Sequence, residues 1–300
     1  MNKQRFGERL QATVAENGPL CVGIDPHPGL LADWGLPDSA AGLREFALRV
    51  VEASQGLAAA VKPQSAFFER HGSAGVAVLE ETLAALRASG TLSILDVKRG
   101  DIGSTMSAYA DATLRPGAPL EADAITVSPF LGYASLRPAL DLVAEYGKGI
   151  YVLALTSNPS GPQVQHARPT DSEIANLLPG NEAPSVAALI AAEVARSNAE
   201  EVTNHAITGW GSAGLVIGAT VGDAVHRLAL DLGTSAGATT VLAPGFGAQG
   251  AGPQDREKVF GEAASRALVS VSRGVLSAGP NIADLRNSCE EWRKNYRFAE

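Results

Sequence analysis

The chain has 300 residues, of which 45% are hydrophobic and 19% are charged. This composition excludes a disordered chain, and the length allows either one α/β barrel or two smaller domains. The 24 Lys and Arg residues against 32 Asp and Glu residues give a net charge of −8, and no basic cluster indicates a nucleic-acid or acidic-membrane surface. An anionic ligand would therefore have to bind at a local positive site.

The two cysteines and the first residues of the chain bear on its compartment. Cys21 lies in an apolar run and Cys289 lies near the C-terminus, so neither a disulfide framework nor a zinc site is expected. Residues 1–18 lack the apolar stretch of a signal peptide, and no apolar run reaches the roughly 18 residues of a membrane span. We therefore expect a soluble cytoplasmic protein that makes no use of a membrane.

Eight short apolar runs recur along the chain, and each ends in polar or glycine-rich residues. The runs begin near residues 20, 57, 91, 123, 149, 214, 238 and 267. Their nearly unbroken apolarity is typical of strands that are covered on both faces in a parallel sheet. Because amphipathic segments separate the runs and eight strands can close a barrel, the sequence predicts a single-domain (β/α)8 TIM barrel.

The segments between the runs carry the apolar spacing of helices. Val76, Leu79, Leu83 and Leu86 recur at intervals of three and four residues before Gly90. A similar face near the C-terminus consists of Ile282, Leu285, Cys289, Trp292 and Tyr296. Both faces are expected to pack on the outside of the barrel.

The spacing of the strands is irregular at one point. Strand ends fall roughly 26 to 37 residues apart, the length of a βα unit, except for a gap of about 60 residues between the fifth and sixth strands. Residues 158–185 within this gap are rich in Pro, Gly, Asn and Ser, and the amphipathic segment 186–202 follows them. We therefore expect an inserted loop over one barrel face that leads into the fifth helix, and we assign no role to this loop.

Charged side chains lie at the end of the third strand and just beyond it, in the segment LSILDVKRGDIGST. Asp96 and Lys98 are two positions apart, so both side chains are expected on one face of the strand. Lys62, at the end of the second strand, should reach Asp96, and with Asp101 the four charges would sum to zero. A solvated turn or a stabilising ion pair would also fit the DxKxxD pattern alone, but the strand-end position and the matching Lys62 favour a catalytic site.

Two features after the last strands are typical of phosphate binding. The glycine-rich segment PGFGAQGAG, residues 244–252, follows the seventh strand, and Arg273 ends the eighth. Loops after strands seven and eight of barrels commonly bind phosphate through backbone N–H groups and an arginine side chain. Further polar residues at or just beyond the strand ends are Asp25, Thr105, Ser157 and Gln249.

No sequence pattern indicates a metal site or a dinucleotide site. The five histidines are scattered without an HxH or HExxH pairing, so we expect them to be surface or structural residues. The GxG elements at 209–211 and 245–247 lack the strand and the downstream acidic residue of a Rossmann site. Cys21, in the middle of a strand, is expected in the core.

Together these segments resemble the orotidine 5′-phosphate decarboxylase family, and within it the longer bacterial branch that carries insertions. The resemblance covers nearly the whole barrel, and its specific part is the DxKxxDI element with a lysine at the end of the preceding strand. The matching segments are GIDPH at 23–27, VKPQSAFFE at 61–69, LDVKRGDIGST at 95–105, TSNPSG at 156–161, APGFGAQG at 243–250 and SRG at 272–274.

The resemblance implies a cofactor-free and metal-free decarboxylation of orotidine 5′-phosphate to uridine 5′-phosphate in pyrimidine biosynthesis. It assigns Lys62, Asp96 and Lys98 to a charged catalytic array together with Asp101, and it makes Lys98 the proton donor. It also implies a homodimer, in which Asp101 and Thr105 reach into the neighbouring subunit's site. The implied substrate contacts are Asp25 and Lys62 to the ribose, Ser157 to the pyrimidine edge, and Gln249 with Arg273 to the phosphate.

Two other functions are compatible with parts of the pattern. A sibling barrel that acts on sugar phosphates with Mg²⁺ uses a related DxKxxD element, but it would place an acidic metal ligand where this chain has Lys62. A catalytically silent nucleotide-binding barrel would need Arg273 and the glycine-rich segment but not the charged residues. The presence of all four Lys and Asp residues argues against the silent barrel. Activity in excess chelator would distinguish the cofactor-free decarboxylase from the Mg²⁺-dependent barrel.

Overall fold

Eight strands alternate with helices along the chain, as the recurring apolar runs predict. The computed structural model describes residues 4–171, 183–233 and 235–297. The strands are β1 (Leu20–Ile24), β2 (Ala60–Pro63), β3 (Ile94–Arg99), β4 (Ala124–Val127), β5 (Gly149–Leu155), β6 (Ala213–Ile217), β7 (Thr240–Pro244) and β8 (Ala267–Val271). The helices are α1 (Phe6–Asn17), α2 (Pro28–Asp33), α3 (Ala40–Ser54), α4 (Ser65–Glu69), α5 (Gly72–Ala88), α6 (Gly103–Leu114), α7 (Arg137–Tyr146), α8 (Pro162–Gln165), α9 (Val186–His205), α10 (Ala224–Arg227), α11 (Pro253–Phe260), α12 (Arg273–Leu276) and α13 (Ile282–Tyr296). Short 3₁₀ segments at Tyr133–Leu136 and Gly261–Arg266 precede α7 and β8.

The strands form one parallel sheet in the order β2-β1-β8-β7-β6-β5-β4-β3. The two ends of this order, β2 and β3, meet through bridges from Val61 to Ser93 and from Gln64 to Asp96. The sheet therefore closes on itself, and the prediction of a (β/α)8 TIM barrel is confirmed. In such a barrel all strands end at the same rim, so the polar residues at their ends are brought together.

Apolar side chains from all eight strands fill the barrel interior. They are Cys21, Ala60, Ile94, Ala124, Tyr151, Val216, Leu242 and Leu268. Phe6 and Leu10 of α1 are fully buried beneath this layer, and the Phe6 ring meets the Tyr151 ring edge-on at 6.1 Å. Burial raises the pKa of the Cys21 thiol to about 12, so Cys21 is a core residue, as expected. The N-terminal end of the barrel is thus closed, which leaves the carboxyl-end rim for a ligand.

The helices cover the outer faces of the strands with the apolar residues that the sequence predicts. Leu79, Leu83 and Leu86 of α5 are at most 1% exposed, and each buried leucine contributes about 1.5–3 kcal/mol to folding. The last helix, α13, buries Leu285 and Cys289 and packs against α3 and β1. It is the last outer helix of the barrel, as its apolar spacing indicates.

The predicted insertion begins directly after β5. Its described part includes α8, and the backbone N–H of Val186 donates to the Ala167 carbonyl at 2.9 Å, which ties this part to the start of α9. Ser185 caps α9 by accepting a hydrogen bond from the Ala188 N–H at 3.1 Å. Residues 172–182 of the predicted insertion lie outside the described residues. In the described part of the chain, no helix has the length and apolarity that crossing a membrane requires.

Candidate active site

Four charged side chains meet at the carboxyl ends of β1, β2 and β3. Asp96 accepts hydrogen bonds from Lys62 Nζ at 2.9 Å on Oδ2 and from Lys98 Nζ at 2.6 Å on Oδ1. Asp25 Oδ1 lies 3.9 Å from Lys62 Nζ on the other side. The charges alternate in space and sum to zero. This pairing allows Lys62 and Asp96 to be only 6% and 5% exposed.

Mutual pairing decides the ionisation of the two buried members. Burial alone would lower the pKa of Lys62, but the carboxylates of Asp96 and Asp25 raise it well above its ordinary value. Burial would likewise raise the pKa of Asp96, but the ammonium groups of Lys62 and Lys98 hold it well below its usual range. Both groups are therefore charged at neutral pH, and a fixed carboxylate lies beside the more exposed Lys98.

Asp101 and Thr105 do not join this array within one chain. Asp101 Oδ1 accepts a hydrogen bond from the backbone N–H of Ile102 at 2.8 Å, and Thr105 is exposed on α6. In the neutral set of four charges, Asp25 occupies the place in which the sequence pattern puts Asp101. The shared-site role that the resemblance implies for Asp101 and Thr105 requires a second subunit.

A bulge in β3 shapes the backbone between Asp96 and Lys98. The step from Leu95 to Arg99 on β3 is matched by the step from Ile125 to Val127 on β4, so two extra residues lie on β3. Lys98 has a φ of 45°, a left-handed conformation that costs a non-glycine residue on the order of 1–3 kcal/mol. The predicted meeting of Asp96 and Lys98 is confirmed, but a strained bulge produces it and not the regular alternation of a strand.

Two residues that the sequence reasoning missed complete the contacts of Asp96. Gln64 Nε2 donates to Oδ2 at 3.0 Å, and Thr126 Oγ1 donates to Oδ1 at 2.8 Å. Thr126 Oγ1 also accepts the backbone N–H of Lys98 at 3.0 Å. Each oxygen of Asp96 thus accepts two hydrogen bonds. The sequence does contain two signals that could have identified these residues. Thr126 is a polar residue inside the apolar fourth strand, and Gln64 is a glutamine two positions after Lys62.

Asp25 is held by a third missed residue. Ser272 Oγ donates to Asp25 Oδ2, and Gly23 makes room for this contact because a Cβ on Gly23 would lie 2.1 Å from Ser272 Oγ. Asp25 Oδ1 is buried and has no hydrogen-bond partner among the described residues. A buried acceptor in this state is suited to bind a hydroxyl group of a ligand.

Two adjoining cavities lie at this rim of the barrel. The smaller, of about 290 Å³, is lined by the four charged residues together with Thr126 and Ser157. The larger, of about 620 Å³, is lined by Arg273 and by part of the glycine-rich segment. Asp25, Lys62 and Gln249 line both cavities. An elongated ligand with an anionic end could therefore contact the charged array and Arg273 at once.

The polar residues at the larger cavity lie where the sequence places a phosphate site. Arg273 begins α12 directly after β8, and Gln249 lies in the glycine-rich segment after β7. This segment turns back on itself, since the N–H of Gly247 donates to the Ala251 carbonyl at 2.9 Å. Both side chains are exposed to the cavity, as a binding site for a solvated anion requires.

The start of the insertion holds the end of β5 next to Ser157. Gln165 of α8 accepts the backbone N–H of Thr156 at 2.9 Å and donates to Thr156 Oγ1 at 2.6 Å. Thr156 Oγ1 in turn donates to Asn158 Oδ1 at 2.6 Å. The first residues of the insertion therefore support the cavity wall, a contribution that the sequence pattern does not reveal.

Comparison with known proteins agrees with this geometry. Residues 18–287 match the model of the family described as "Orotidine 5'-phosphate decarboxylase / HUMPS family". The chain is 51% identical to an orotidine 5′-phosphate decarboxylase of Streptomyces coelicolor over 98% of both chains, and 46% identical to one of Corynebacterium efficiens over 96% of this chain and 95% of the relative.

Solved structures give the same result. A crystal structure from Streptomyces avermitilis matches with a TM-score of 0.87 at 51% identity, over 99% of this chain and 96% of the other. The structure of Leishmania donovani OMP decarboxylase matches with a TM-score of 0.72 at 30% identity, over 98% of each chain. The chain therefore belongs to the orotidine 5′-phosphate decarboxylase / HUMPS family.

Proposed function

We propose that the chain catalyses the decarboxylation of orotidine 5′-phosphate to uridine 5′-phosphate and CO₂ in the cytoplasmic synthesis of pyrimidine nucleotides, without a metal ion or an organic cofactor. The observation that carries this proposal is the neutral array of Asp25, Lys62, Asp96 and Lys98 in a cavity that adjoins an arginine-bearing cleft. A pyrimidine ring in the smaller cavity and a phosphate at Arg273 would use both compartments.

Lys98 is the proposed acid. When the bond to the carboxylate breaks, its electron pair stays on the ring carbon, and a fixed ammonium group stabilises the developing negative charge. Lys98 then donates a proton to that carbon, and its amine takes a proton from solvent before the next turnover. The 2.6 Å contact with Asp96 aims Lys98 Nζ at the cavity.

Asp96 supports Lys98 and lies beside the proposed position of the departing carboxylate. Its two oxygens accept four hydrogen bonds, from Lys62, Gln64, Lys98 and Thr126. A carboxylate held by four donors has little freedom to move, so it fixes the direction of the Lys98 side chain before substrate binds. Preorganised charge of this kind stabilises a transition state without reorganisation during the reaction.

The remaining substrate contacts follow from the cavities. Asp25 Oδ1, which has no hydrogen-bond partner among the described residues, and the ammonium of Lys62 would bind the ribose hydroxyls, and Ser157 would contact the pyrimidine edge. Gln249 and Arg273 would bind the phosphate. We call the segments that carry them, residues 244–252 and 272–274, the phosphate loops. Because the phosphate is remote from the reacting carbon, its binding energy can order the site and exclude water.

We propose that two copies of the chain form a homodimer with shared active sites. Large apolar side chains are exposed after β3 and β4, with Ile102 at 62%, Phe130 at 79% and Leu131 at 52%. Exposed apolar groups of this size are typical of an interface, and Asp101 and Thr105 lie in the same stretch of chain as Ile102. A dimer through this surface would bring Asp101 and Thr105 to the partner's array.

A mixing experiment tests the shared sites. Lys98→Ala and Asp101→Ala chains should each be inactive alone, but a mixed dimer would carry both changes in one site and leave the other site intact. Equal co-expression should therefore recover about a quarter of the unmodified activity. Ile102→Asp should produce monomers, whereas Val164→Asp, at another exposed apolar position, should not. Absence of recovery in the mixture would refute shared sites.

The competing function is that of a sibling barrel that uses Mg²⁺. The Lys62 ammonium is buried against Asp96 at the end of β2, where a divalent cation would need an acidic ligand. The direct test follows the loss of orotidine 5′-phosphate absorbance with EDTA in excess. Undiminished turnover supports the proposal, and abolition of turnover by EDTA with restoration by Mg²⁺ would contradict it.

A further inference from the structure

The C-terminal helix α13 places one indole ring against both phosphate loops. A Cβ added to Gly247 would lie 2.7 Å from Cη2 of Trp292, and a Cβ added to Gly274 would lie 2.5 Å from Cζ2 of the same ring. Trp292 Nε1 also donates to the Gly274 carbonyl at 3.2 Å. Glycine at both positions therefore allows the outer ring of the indole to contact the two loops directly.

Neighbouring aromatic residues hold this indole in place. The Trp292 ring stacks on Tyr296 with 5.4 Å between centroids and 11° between planes. Tyr296 in turn meets the ring of Phe246 edge-on at 5.2 Å, and Phe246 directly precedes Gly247. The rings of Phe246, Tyr296 and Trp292 thus link the loop after β7 to α13. The Trp292 indole also contacts the loop after β8, at Gly274. Such aromatic contacts stabilise the arrangement beyond the burial of apolar area.

The two contacted glycines lie close to the residues assigned to the phosphate. Gly274 is next to Arg273, Gly247 is two residues from Gln249, and all but Gly247 line the larger cavity. The family match ends at residue 287, so Trp292 lies beyond it. We propose that Trp292 is a positioning residue, which fixes the spacing of the two phosphate loops and so the affinity for the phosphate group. This inference rests on the proposed function.

The test is Trp292→Phe, assayed with orotidine 5′-phosphate and with orotidine, which lacks the phosphate. Phenylalanine lacks the outer ring atoms that contact the glycines and the indole N–H. We expect kcat/KM for orotidine 5′-phosphate to fall about tenfold, because small displacements of a binding group are costly, and kcat/KM for orotidine to stay unchanged. Trp210→Phe is the matched control, since Trp210 is also half-buried but precedes β6 at the opposite end of the barrel. It should change neither value.

A general loss of structure in Trp292→Phe would lower kcat/KM for orotidine 5′-phosphate and for orotidine by the same factor, and that result would overturn the proposal. An unchanged rate with orotidine 5′-phosphate would overturn it as well. A binding experiment tests the proposal independently of turnover. Uridine 5′-monophosphate should change the tryptophan emission of the unmodified chain and of Trp210→Phe, and the change should be absent in Trp292→Phe and with uridine. An emission change that persists in Trp292→Phe would refute the role of Trp292. Absence of decarboxylation by the unmodified chain would refute only the proposed function.

Discussion

Thr126→Val perturbs the support of the proposed catalytic array while keeping nearly the size and shape of the side chain. Thr126 is 1% exposed, and its hydroxyl makes two hydrogen bonds, one to Asp96 Oδ1 at 2.8 Å and one from the Lys98 N–H at 3.0 Å. Valine fits the same space but can make neither bond. The substitution therefore frees both the carboxylate that aims Lys98 and the strained backbone of Lys98 itself.

The size of the effect follows from these two bonds. A hydrogen bond to a charged group contributes about 1.5–3 kcal/mol. If that amount is lost at the transition state, kcat should fall about 10- to 100-fold. The free energy of unfolding should fall by about 2–4 kcal/mol, because the Lys98 N–H also loses its partner. The fold should persist, since a loss of this size is smaller than the total stability of about 5–15 kcal/mol that is typical of a folded protein.

The measurements are kcat at saturating orotidine 5′-phosphate and the free energy of unfolding in urea. Thr240→Val is the matched control, because Thr240 is also a fully buried barrel threonine, but its hydroxyl contacts only Tyr151 Oη at 3.3 Å among the hydrogen bonds described. It should lose about 0.5–1.5 kcal/mol of stability and keep its kcat. A Thr126→Val kcat within about twofold of the unmodified value would refute the supporting role.

Five further outcomes are expected. Lys98→Ala should retain its circular dichroism spectrum and lose nearly all turnover, because it lacks the proposed proton donor; substantial decarboxylation would refute that role. Arg273→Ala should lower kcat/KM for orotidine 5′-phosphate by about 3 kcal/mol, or roughly a hundredfold, and leave kcat/KM for orotidine unchanged. Folding lowers the pKa of Asp96, so its charge stabilises the fold above the unfolded pKa of about 4, and this stabilisation is lost as the pH falls from there towards the folded pKa. In urea titrations at several pH values, the free energy of unfolding of Asp96→Asn should therefore fall less at acid pH than that of the unmodified chain. Folding raises the pKa of Lys62, so its charge stabilises the fold below an unfolded pKa of about 10.4, and this stabilisation is lost as the pH rises from there towards the folded pKa. The free energy of unfolding of Lys62→Met should therefore fall less steeply with pH in the alkaline range. Gln165→Leu should raise KM several-fold through loss of both hydrogen bonds to the end of β5, and an unchanged KM would make α8 irrelevant to binding.

The barrel and the main charged residues could be predicted from the sequence because both depend on local patterns. Apolar runs identify strands wherever both faces are covered, and the carboxyl ends of parallel strands meet at one rim whatever the details of packing. Once their strands were assigned, Lys62, Asp96 and Lys98 could be placed at this rim, although the bulge in β3 is what brings Lys98 onto Asp96. The prediction for Arg273 uses the same rule, because its position after the eighth strand places it at this rim.

Other features depend on contacts between residues that are distant in sequence. The donation from Thr126 to Asp96 requires the register of β4 on β3, and the place of Asp25 in the neutral array requires the approach of β1 to β2. The contact of Trp292 with both phosphate loops requires α13 to pack beside the loops that follow β7 and β8. Sequence patterns thus determined which residues form strands and which rim carries the charge. Tertiary structure alone decided which atoms touch there, because hydrogen bonds and ring contacts depend on distances of a few ångströms that periodicity does not encode.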